Sequence, residues 1–543
     1  VLGQSDRLMA TQRITHSYPH CWRHKTPVIF RATPQWFISM DQNGLRAGAL
    51  RDIPTVQWVP GWGEQRIYSM IEGRPDWCIS RQRTWGVPIP AMACTSCQTP
   101  VLTTALTDRA ADVFERYGAD AWYERPIEEF LPEGLSCASC GGTSFERESN
   151  ILDVWFDSGS SHEAVLPRYD DLGWPSDMYL EGSDQHRGWF QSSLLVALAT
   201  RGRPPYREVL THGFLIDVDG RKMSKSLGNV VTPQDVIKES GAEVLRLWVA
   251  MSDYSEELRV GREILTRVVE AYRKLRNTSR IHVANLYDFD PAVHMVPVAD
   301  LDTIDRYALA RFADAAERMQ RAYDAYDFPT VFQTLTTLVS VDLSAFYVDV
   351  TKDRMYTFAA GSAERRSTQT AMFLICDGLA RLLAPILPVT AEDLWRYLPG
   401  TRSASVHLER FPEVGHLQAP DLVATWGRLL GVRDQVNAAL EQKRKDKVIG
   451  NSLSAHVTVS ASGPIAGTLE QYRAYLPTLF IVSDLEVQLG GTDGADTVSV
   501  AVDKARGVRC DRCWRFVPSV RTEPASAGIC DRCVDALATS VNA

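Results

Sequence analysis

Two lysines three positions apart, Lys222 and Lys225, lie in a loop whose composition suits phosphate binding. The loop runs from Gly220 to Asn229 and also contains Ser224. Glycine lets a backbone approach a ligand closely, and lysine is a mobile point charge that can follow a moving phosphate. A short KxxK motif alone is also typical of a solvated basic turn. The ten residues together predict a site for a triphosphate whose charge is redistributed during a reaction.

Eight of the eleven cysteines form four Cys-x-x-Cys pairs, which fall into two sets. The first set is Cys94, Cys97, Cys137 and Cys140, and the second set is Cys510, Cys513, Cys530 and Cys533. Two pairs of thiolates suit tetrahedral Zn²⁺, whereas a redox site needs only one pair. We predict a zinc site in each set. We also expect the first zinc to pin a small polar flap, residues 91–149, that cannot build a core of its own.

The sequence between positions 177 and 190 indicates a strand, a loop and a helix. In open α/β sheets, ligands bind at the carboxyl ends of the strands. Acidic and amide groups at such a strand end suit an amine and ribose hydroxyls, and tryptophans could wall an apolar pocket or belong to the core. The candidates are Glu181, Gly182, Asp184, Gln185, Trp155 and Trp189. His212, at the end of the strand before the lysine loop, is a candidate ATP contact.

Other segments supply the elements around these groups. Residues 28–37 are apolar with little alternation, which predicts a buried strand, and residues 153–159 indicate a strand that ends in a turn. Between about 265 and 410, apolar residues recur at steps of three and four, which predicts a helical bundle. Residues 455–459 alternate, as in a small β or mixed module. The charge run 443–447 is typical of a solvated face, with RNA contact as the alternative.

Several further side chains have both a functional and a structural interpretation. His20, Cys21 and His24 could ligate a metal, but no closing pair lies nearby at ligand spacing, so we favour a structural role. Arg81 and Arg83 suit either RNA phosphates or structural ion pairs. In the tail, arginines and aromatic residues combine charge with stacking surfaces, as single-stranded RNA contacts require. These tail residues are Arg509, Arg512, Arg515, Arg521, Trp514 and Phe516.

Four stretches carry a resemblance to a known family. The loop 220–229 resembles the KMSKS signature of class I aminoacyl-tRNA synthetases. Residues 18–37 resemble the return from the editing insertion to the catalytic core in the isoleucyl members, and residues 75–86 are similar to the same members. A C-terminal module such as 510–533 occurs in bacterial-type isoleucyl enzymes and argues against the valyl and leucyl relatives. The chain is identified as a member of this isoleucyl family, truncated at its N-terminus.

The resemblance implies an α/β fold with a partial Rossmann-type class I catalytic core, an α-helical anticodon-binding bundle and a small C-terminal zinc module. The implied domains are the end of the editing insertion (1–45), a core segment (46–90), a zinc-binding insertion (91–149), the second half of the core with the lysine loop (150–264), the anticodon-binding bundle (265–410), a junction module (411–505) and a zinc-finger tail (506–543).

The resemblance also implies a function, which is the ATP-dependent activation of L-isoleucine to isoleucyl-adenylate and its transfer to tRNA(Ile). Mg²⁺ accompanies the ATP, and Zn²⁺ fills the cysteine sites, although family members differ in the insertion. Lys222 and Lys225 are implied as catalytic residues that neutralise phosphate charge, and with Ser224 and His212 they bind ATP. Glu181 is the clearest contact to the aminoacyl-adenylate in this comparison.

One part of such an enzyme is not in this sequence. A class I synthetase needs a His-x-Gly-His element for its ATP site, and none of the eleven histidines forms one. The threonine-rich editing core is also absent. We therefore expect the chain alone to be inactive in adenylate formation. The alternatives are a non-catalytic tRNA-binding protein derived from a synthetase and the C-terminal chain of a split synthetase; the intact lysine loop and Glu181 argue against decay.

Composition limits the remaining possibilities. A length of 543 residues predicts three or four domains, at about 100–200 residues each. The net charge of −9 excludes a uniformly basic nucleic-acid binder, so any RNA contact must use local basic patches. We find no run of about 18 apolar residues and no signal-peptide pattern. We therefore expect no contact with a membrane. Paired Cys-x-x-Cys units in a chain without a signal peptide favour a cytoplasmic location, and we also expect a monomer.

Overall fold

The computed structural model describes residues 3–21, 24–223 and 227–540. The chain divides into two compact units, residues 1–213 and 214–543. Each unit has its own hydrophobic core, and each is described separately below.

The first unit contains ten strands and seven α-helices among the described residues. The strands are β1 (Phe37–Ile38), β2 (Gln57–Val59), β3 (Trp77–Cys78), β4 (Ser80–Arg81), β5 (Met92–Cys94), β6 (Pro100–Val101), β7 (Phe145–Arg147), β8 (Ile151–Leu152), β9 (Ser176–Gly182) and β10 (Tyr206–His212). The helices are α1 (Leu45–Asp52), α2 (Trp62–Glu72), α3 (Thr104–Tyr117), α4 (Ala121–Glu124), α5 (Val154–Gly159), α6 (Ser161–Ala164) and α7 (Trp189–Arg201).

A three-stranded parallel sheet of order β2-β10-β9 forms the centre of this unit. Parallel neighbours need a crossover connection, commonly a helix, and α7 makes that connection between β9 and β10. The sheet and helices share a core that includes Trp58, Ile67, Leu194 and Val209. This arrangement places the ends of β9 and β10 side by side, where a ligand would bind.

Residues 91–149 form a subdomain with a core of its own, so the expectation of a coreless polar flap was wrong. Strands β6-β5-β7 form its sheet. The α3 face with Leu106 and Val113 packs with Trp122, Phe130 and Phe145, all of them buried. Apolar residues separated widely along the sequence therefore meet in a satellite cluster beside the first four cysteines.

Two predicted strands were also wrong. In the segment 28–37, Ile29 is 89% exposed and Phe30 is 78% exposed, and only β1 pairs with a neighbouring strand, β3. An apolar run forms a buried strand only where another strand offers hydrogen bonds. The segment 153–159 is not a strand, because β8 ends before it at Leu152 and residues 154–159 form α5, with Asp153 at the N-cap position.

The second unit contains seven strands and thirteen α-helices among the described residues. The strands are β11 (Leu215–Ile216), β12 (Leu258–Arg259), β13 (Ala455–Ser462), β14 (Asp484–Leu489), β15 (Thr497–Lys504), β16 (Val508–Arg509) and β17 (Phe516–Val517). The helices are α8 (Pro233–Ser240), α9 (Ala242–Met251), α10 (Arg262–Ala284), α11 (Pro291–His294), α12 (Thr303–Asp324), α13 (Phe328–Thr337), α14 (Asp349–Thr357), α15 (Ala363–Leu383), α16 (Pro388–Tyr397), α17 (Pro420–Lys445), α18 (Pro464–Gln471), α19 (Leu476–Leu479) and α20 (Asp531–Ser540).

Helices α9 to α17 form the predicted bundle, which the structure confirms. Helix α12 buries one stripe, including Ile304, Phe312 and Met319, against α13 and α15. Asp302 caps α12 by accepting a hydrogen bond from the Ile304 N–H, as N-cap residues do. The apolar stripe at helical spacing is therefore the core of the bundle.

The segment Phe328–Thr357 joins α13, a π-helical stretch (Leu338–Val348) and α14. Its length and its mean hydropathy of 1.3 would suffice for a membrane span, which differs from our expectation of no such apolar run. Half of its apolar window is buried inside the protein. Leu343 and Tyr347, for example, are fully buried in the bundle. A central helix of a bundle has the same length and composition.

After the bundle, the chain forms a mixed sheet and a small tail. Strand β13 pairs parallel with β14 and antiparallel with β15, which confirms the predicted mixed module. The tail contains the hairpin β16-β17 and helix α20. Its buried cluster consists of the four cysteines alone, with partly buried Val517, Val520 and Ile529 around them.

Candidate functional site

The ends of β9 and β10 bring two predicted site residues to one edge of the parallel sheet. The register pairs Glu181 with Thr211 and Gly182 with His212. The carboxylate of Glu181 is exposed and accepts a hydrogen bond from the Gly182 N–H, 3.1 Å away. His212 Nδ1 lies 2.8 Å from the Gly213 carbonyl oxygen, to which a protonated Nδ1 would donate a hydrogen bond.

A second group of predicted residues meets at the start of α7. Gln185 Oε1 accepts a hydrogen bond from the Trp189 N–H at 3.0 Å, and Gln185 Nε2 donates to Asp184 at 3.3 Å. Gly188, which lies beside them, was not predicted as a site residue. A Cβ at that position would lie 2.6 Å from Gln185 Oε1 and 2.7 Å from the Trp155 ring. The absence of a side chain at Gly188 therefore allows Trp155 and Gln185 to pack against the backbone.

The two candidate tryptophans have different surroundings. Trp189 stacks on the buried ring of Tyr179 with centroids 3.9 Å apart, and its Nε1–H donates to the Ser158 carbonyl oxygen at 3.0 Å. Trp155 is 41% exposed. Trp189 therefore packs largely within the core, whereas Trp155 has an exposed face that a ligand can contact.

Asp157, in the same helix as Trp155, was also missed. Burial, followed by the charge of Asp153, raises the pKa of Asp157 to about 6. A carboxyl group with a raised pKa beside a candidate pocket is typical of functional sites. The available sequence signal was its position two residues after the candidate Trp155.

The lysine loop is held by a carboxylate that was not predicted. Asp217 Oδ1 accepts hydrogen bonds from the Arg221 and Asp219 N–H groups at 2.8 and 3.0 Å. Its Oδ2 accepts from Arg221 Nε and Asn229 Nδ2, each at 2.9 Å. The Asn229 amide, together with the groups of Arg221, lowers the pKa of Asp217 to about 2. Asp217 thus joins both ends of the loop.

Of the four predicted ATP contacts, the structure describes two. Lys222 is exposed, and its backbone forms a bridge with Ile216. His212 ends β10 as described above. Ser224 and Lys225 lie outside the described residues.

Both sets of four cysteines are assembled. Within each set the ligand atoms all lie within 4.8 Å of one another. Sulfur atoms are 3.6 Å apart for Cys94–Cys140 and 3.5 Å for Cys97–Cys137. The tail distances are 3.9 Å for Cys510–Cys533 and 3.8 Å for Cys513–Cys530. A tetrahedral zinc with Zn–S of about 2.3 Å requires sulfurs about 3.8 Å apart, so both sets fit this ion.

In each set one cysteine has a lowered pKa, which favours the thiolate form that metal binding requires. The Thr99 hydroxyl, 3.2 Å from the sulfur, lowers the pKa of Cys97 to about 6. At Cys510, burial opposes ionisation, but the backbone N–H groups of Cys513 and Cys530 lower the pKa to about 6.

Three of the four Cys-x-x-Cys turns share one backbone pattern. The residue after the second cysteine has positive φ, with 58° at Gln98, 72° at Gly141 and 63° at Trp514. Its N–H donates to the carbonyl oxygen of the first cysteine in each turn. The turn from Cys21 to Thr26 follows the same pattern, with His24 Nδ1 3.4 Å from Cys21 Sγ. Within the described residues no third ligand joins this pair.

Most of the tail arginines that suggested RNA contact are engaged within the protein. Arg512 donates to the Thr357 carbonyl oxygen, and Arg515 donates to the Val482 carbonyl oxygen at 2.8 Å. Arg521 pairs with Asp531. Trp514, in contrast, is 61% exposed.

Comparison with known proteins gives the family. The family model described as tRNA synthetases class I (I, L, M and V) matches residues 13–261, and the anticodon-binding domain of tRNA ligase matches residues 305–459. The isoleucine–tRNA ligases of Syntrophotalea carbinolica and Geobacter sulfurreducens are each 49% identical over 543 residues, 99% of this chain. The chain belongs to the isoleucine–tRNA ligase family. It spans 59% of the length of these two relatives.

A solved structure supports the fold of this isoleucine–tRNA ligase family member. Mycobacterium tuberculosis methionyl-tRNA synthetase in complex with methionyl-adenylate matches with a TM-score of 0.50 at 18% identity, over 70% of this chain and 66% of that chain. The two relatives confirm the family that was predicted from the sequence. The family models and the solved structure confirm the predicted fold class. The domain boundaries and the roles of the site residues stay predictions.

Proposed function

We propose that this chain serves in an isoleucine–tRNA ligase, which activates L-isoleucine with ATP and transfers it to tRNA(Ile). The observation that carries the proposal is the identity of 49% over 99% of the chain, from the first segment to the cysteine tail. In the first step the isoleucine carboxylate attacks the α-phosphate, forming isoleucyl-adenylate and releasing pyrophosphate. In the second step a hydroxyl of the terminal tRNA ribose attacks the adenylate carbonyl.

In this proposal the sheet edge holds the adenylate and the lysine loop holds the phosphates. Glu181, with Gly182, Asp184 and Gln185 beside it, binds the amine and the ribose by charge-assisted hydrogen bonds. Trp155 and Trp189 line the side-chain pocket. Lys222, Lys225 and Ser224 neutralise the growing phosphate charge together with Mg²⁺, and His212 contacts ATP. Catalysis is positioning and electrostatic stabilisation.

Asp217 supports this role of the lysine loop. A loop that must place two ammonium groups against a moving phosphate benefits from fixed ends. Three of the four hydrogen bonds of the Asp217 carboxylate come from Arg221 and Asn229, which lie on either side of the central residues. Asp217 is thus a positioning residue in the proposal.

Both cysteine sets are proposed to hold a structural Zn²⁺. The sulfur separations support this assignment, because they match a tetrahedral thiolate site. A cytoplasmic location and a monomeric state stay predictions.

The absence of His-x-Gly-His from the sequence favours a second candidate. In that case the 543 residues bind tRNA without forming adenylate, either as a tRNA-binding protein or as one chain of a split synthetase. We expect the 543 residues alone to show no isoleucine-dependent ATP–pyrophosphate exchange, and the complete open reading frame that encodes them to show it. Exchange above background by the 543 residues would contradict the expected inactivity.

A variant pair on β9 tests the pocket in the complete reading frame. Glu181→Gln should lower kcat/KM for isoleucine in the exchange reaction by about 100-fold, as loss of one charge-assisted contact of 2.7 kcal/mol does. Asp177→Asn is the matched control, because its 90% exposed side chain lies at the opposite end of the strand. Equal activity of the two variants would remove Glu181 from the site.

A further inference from the structure

One carboxylate of the bundle accepts hydrogen bonds from two arginines of the cysteine tail. Asp353, on α14, has a side chain that is only 19% exposed. Its two oxygens accept a bidentate pair of hydrogen bonds from Arg532, at 2.7 and 2.9 Å. Oδ2 also accepts from Arg515 Nε at 3.1 Å. One carboxylate of the bundle therefore holds two guanidinium groups of the tail.

Arg532 also belongs to the turn that carries two of the predicted metal ligands. It lies in the sequence between Cys530 and Cys533, and it lines the same cavity as Cys513 and Cys530. Four thiolates around a divalent cation carry a net charge of about −2. A guanidinium near these thiolates offsets part of this charge, and the carboxylate of Asp353 fixes its orientation.

Further single hydrogen bonds add to this bidentate contact, including those from Arg512 to the Thr357 carbonyl oxygen and from Arg515 to the Val482 carbonyl oxygen. The Phe516 N–H donates to Ser483 Oγ at 2.8 Å, and the Arg532 guanidinium lies 5.0 Å from the centre of the Phe358 ring. A cavity of about 480 Å³ lies beside this contact and is lined by Asp353, Arg515 and Arg532. The contacts between the tail and the bundle are thus mainly hydrogen bonds and ion pairs.

We propose that Asp353 is a positioning residue for the tail metal site, acting through Arg532, which lies in the turn between Cys530 and Cys533. The arrangement is comparable to the carboxylate–histidine–metal chains, because an outer carboxylate orients part of the segment that carries the ligands. Loss of such an outer partner typically lowers metal affinity about 10–100-fold. The inference rests on the proposed zinc site, and it adds that metal affinity and attachment of the tail to α14 are coupled.

The test uses the full chain in a Cys97→Ser background, so that only the tail site binds zinc strongly. Zinc affinity is measured by competition with a chromophoric chelator. Asp353→Asn should weaken binding about 10–100-fold. Arg532→Lys, which keeps the charge but loses the bidentate fork, should weaken binding by a smaller factor. Asp531→Asn is the control, because Asp531 lies in the same turn but pairs with Arg521 instead of the bundle and is 71% exposed.

Thermal unfolding of the bundle is recorded for each variant to separate metal affinity from loss of fold. If Asp353→Asn unfolds the bundle, Arg532→Lys carries the test, because its substitution lies in the tail. Unchanged zinc affinity in the folded variants overturns the role of Asp353 and leaves the zinc site standing. Absence of tight zinc binding in the Cys97→Ser parent overturns both proposals.

Discussion

The two cysteine sets have the same ligand types and similar sulfur separations, 3.5 and 3.6 Å in the first set and 3.8 and 3.9 Å in the tail, but they lie in different kinds of structure. The set in residues 91–149 closes a subdomain that has an apolar core containing the fully buried Trp122 and Phe130. The tail set is itself the core, since the buried cluster there consists of the four cysteines. In the first region Cys97 and Cys140 are exposed, whereas all four tail cysteines are buried.

The difference indicates what a metal does in each region. Burial of a large aromatic side chain stabilises a fold by about 3–5 kcal/mol relative to alanine. Structural zinc binding by small finger peptides supplies an apparent 10–16 kcal/mol or so, which is also their folding free energy. With the proposed zinc bound, the subdomain 91–149 would have both sources of stability, whereas the tail would have only the metal and its contacts with the bundle. The tail should therefore depend on zinc for its fold, and the subdomain should not.

The largest expected effect comes from removing one ligand in each region. Cys533→Ser should unfold residues 506–540, because a buried ligand is lost where no apolar core remains. Cys140→Ser should leave residues 91–149 folded and remove only the bound metal. Limited proteolysis with mass spectrometry measures both outcomes, and tail resistance in Cys533→Ser would contradict the comparison.

A smaller effect is expected when the core of the first region is reduced. Trp122→Ala should destabilise residues 91–149 by about 3–5 kcal/mol, since a fully buried ring is replaced by a cavity. Tyr123→Ala, at the neighbouring and 47% exposed position, is the control. Chemical denaturation with zinc present measures the difference. Equal stability of the two variants would mean that zinc, not the core, holds this subdomain.

The smallest expected effect concerns the turn residues with positive φ. Glycine accepts this conformation without the Cβ penalty of about 1–2 kcal/mol, although it also increases the entropy of the unfolded chain. Gln98→Gly and Trp514→Gly should each change stability by less than about 1 kcal/mol. Thermal unfolding of the zinc-bound protein checks this expectation. A large loss for Trp514→Gly alone would show that the exposed indole has a structural role.

Local spacing was sufficient to predict both cysteine sets and the strand ends at Glu181 and His212. Each of those signals lies within a few residues or in a paired motif. The core of residues 91–149 was not predicted, because its members run from Met92 to Phe145 and meet only after folding. The period of α3, with Leu106, Ala110 and Val113 on one face, was the available signal.

Long-range contacts explain the remaining omissions at the candidate site. Asp353 and Arg532 are 179 residues apart in sequence, and no pattern in either segment indicates their pairing. Gly188 is required because the Trp155 ring approaches it from another helix. Asp217 had a weak local signal, as an acidic residue at a strand end before a glycine-flanked loop. The aromatic and charged composition of the tail suggested RNA contact. In the structure, however, Arg512, Arg515 and Arg521 bind other groups of the protein.

The most direct test of the comparison is hydrogen–deuterium exchange of the chain with and without a zinc chelator. The account predicts that protection is lost throughout residues 506–540 when zinc is removed, and that α3 and β5–β7 retain their protection. Loss of protection in both regions, or retention in both, would contradict the claim that zinc replaces a core only in the tail.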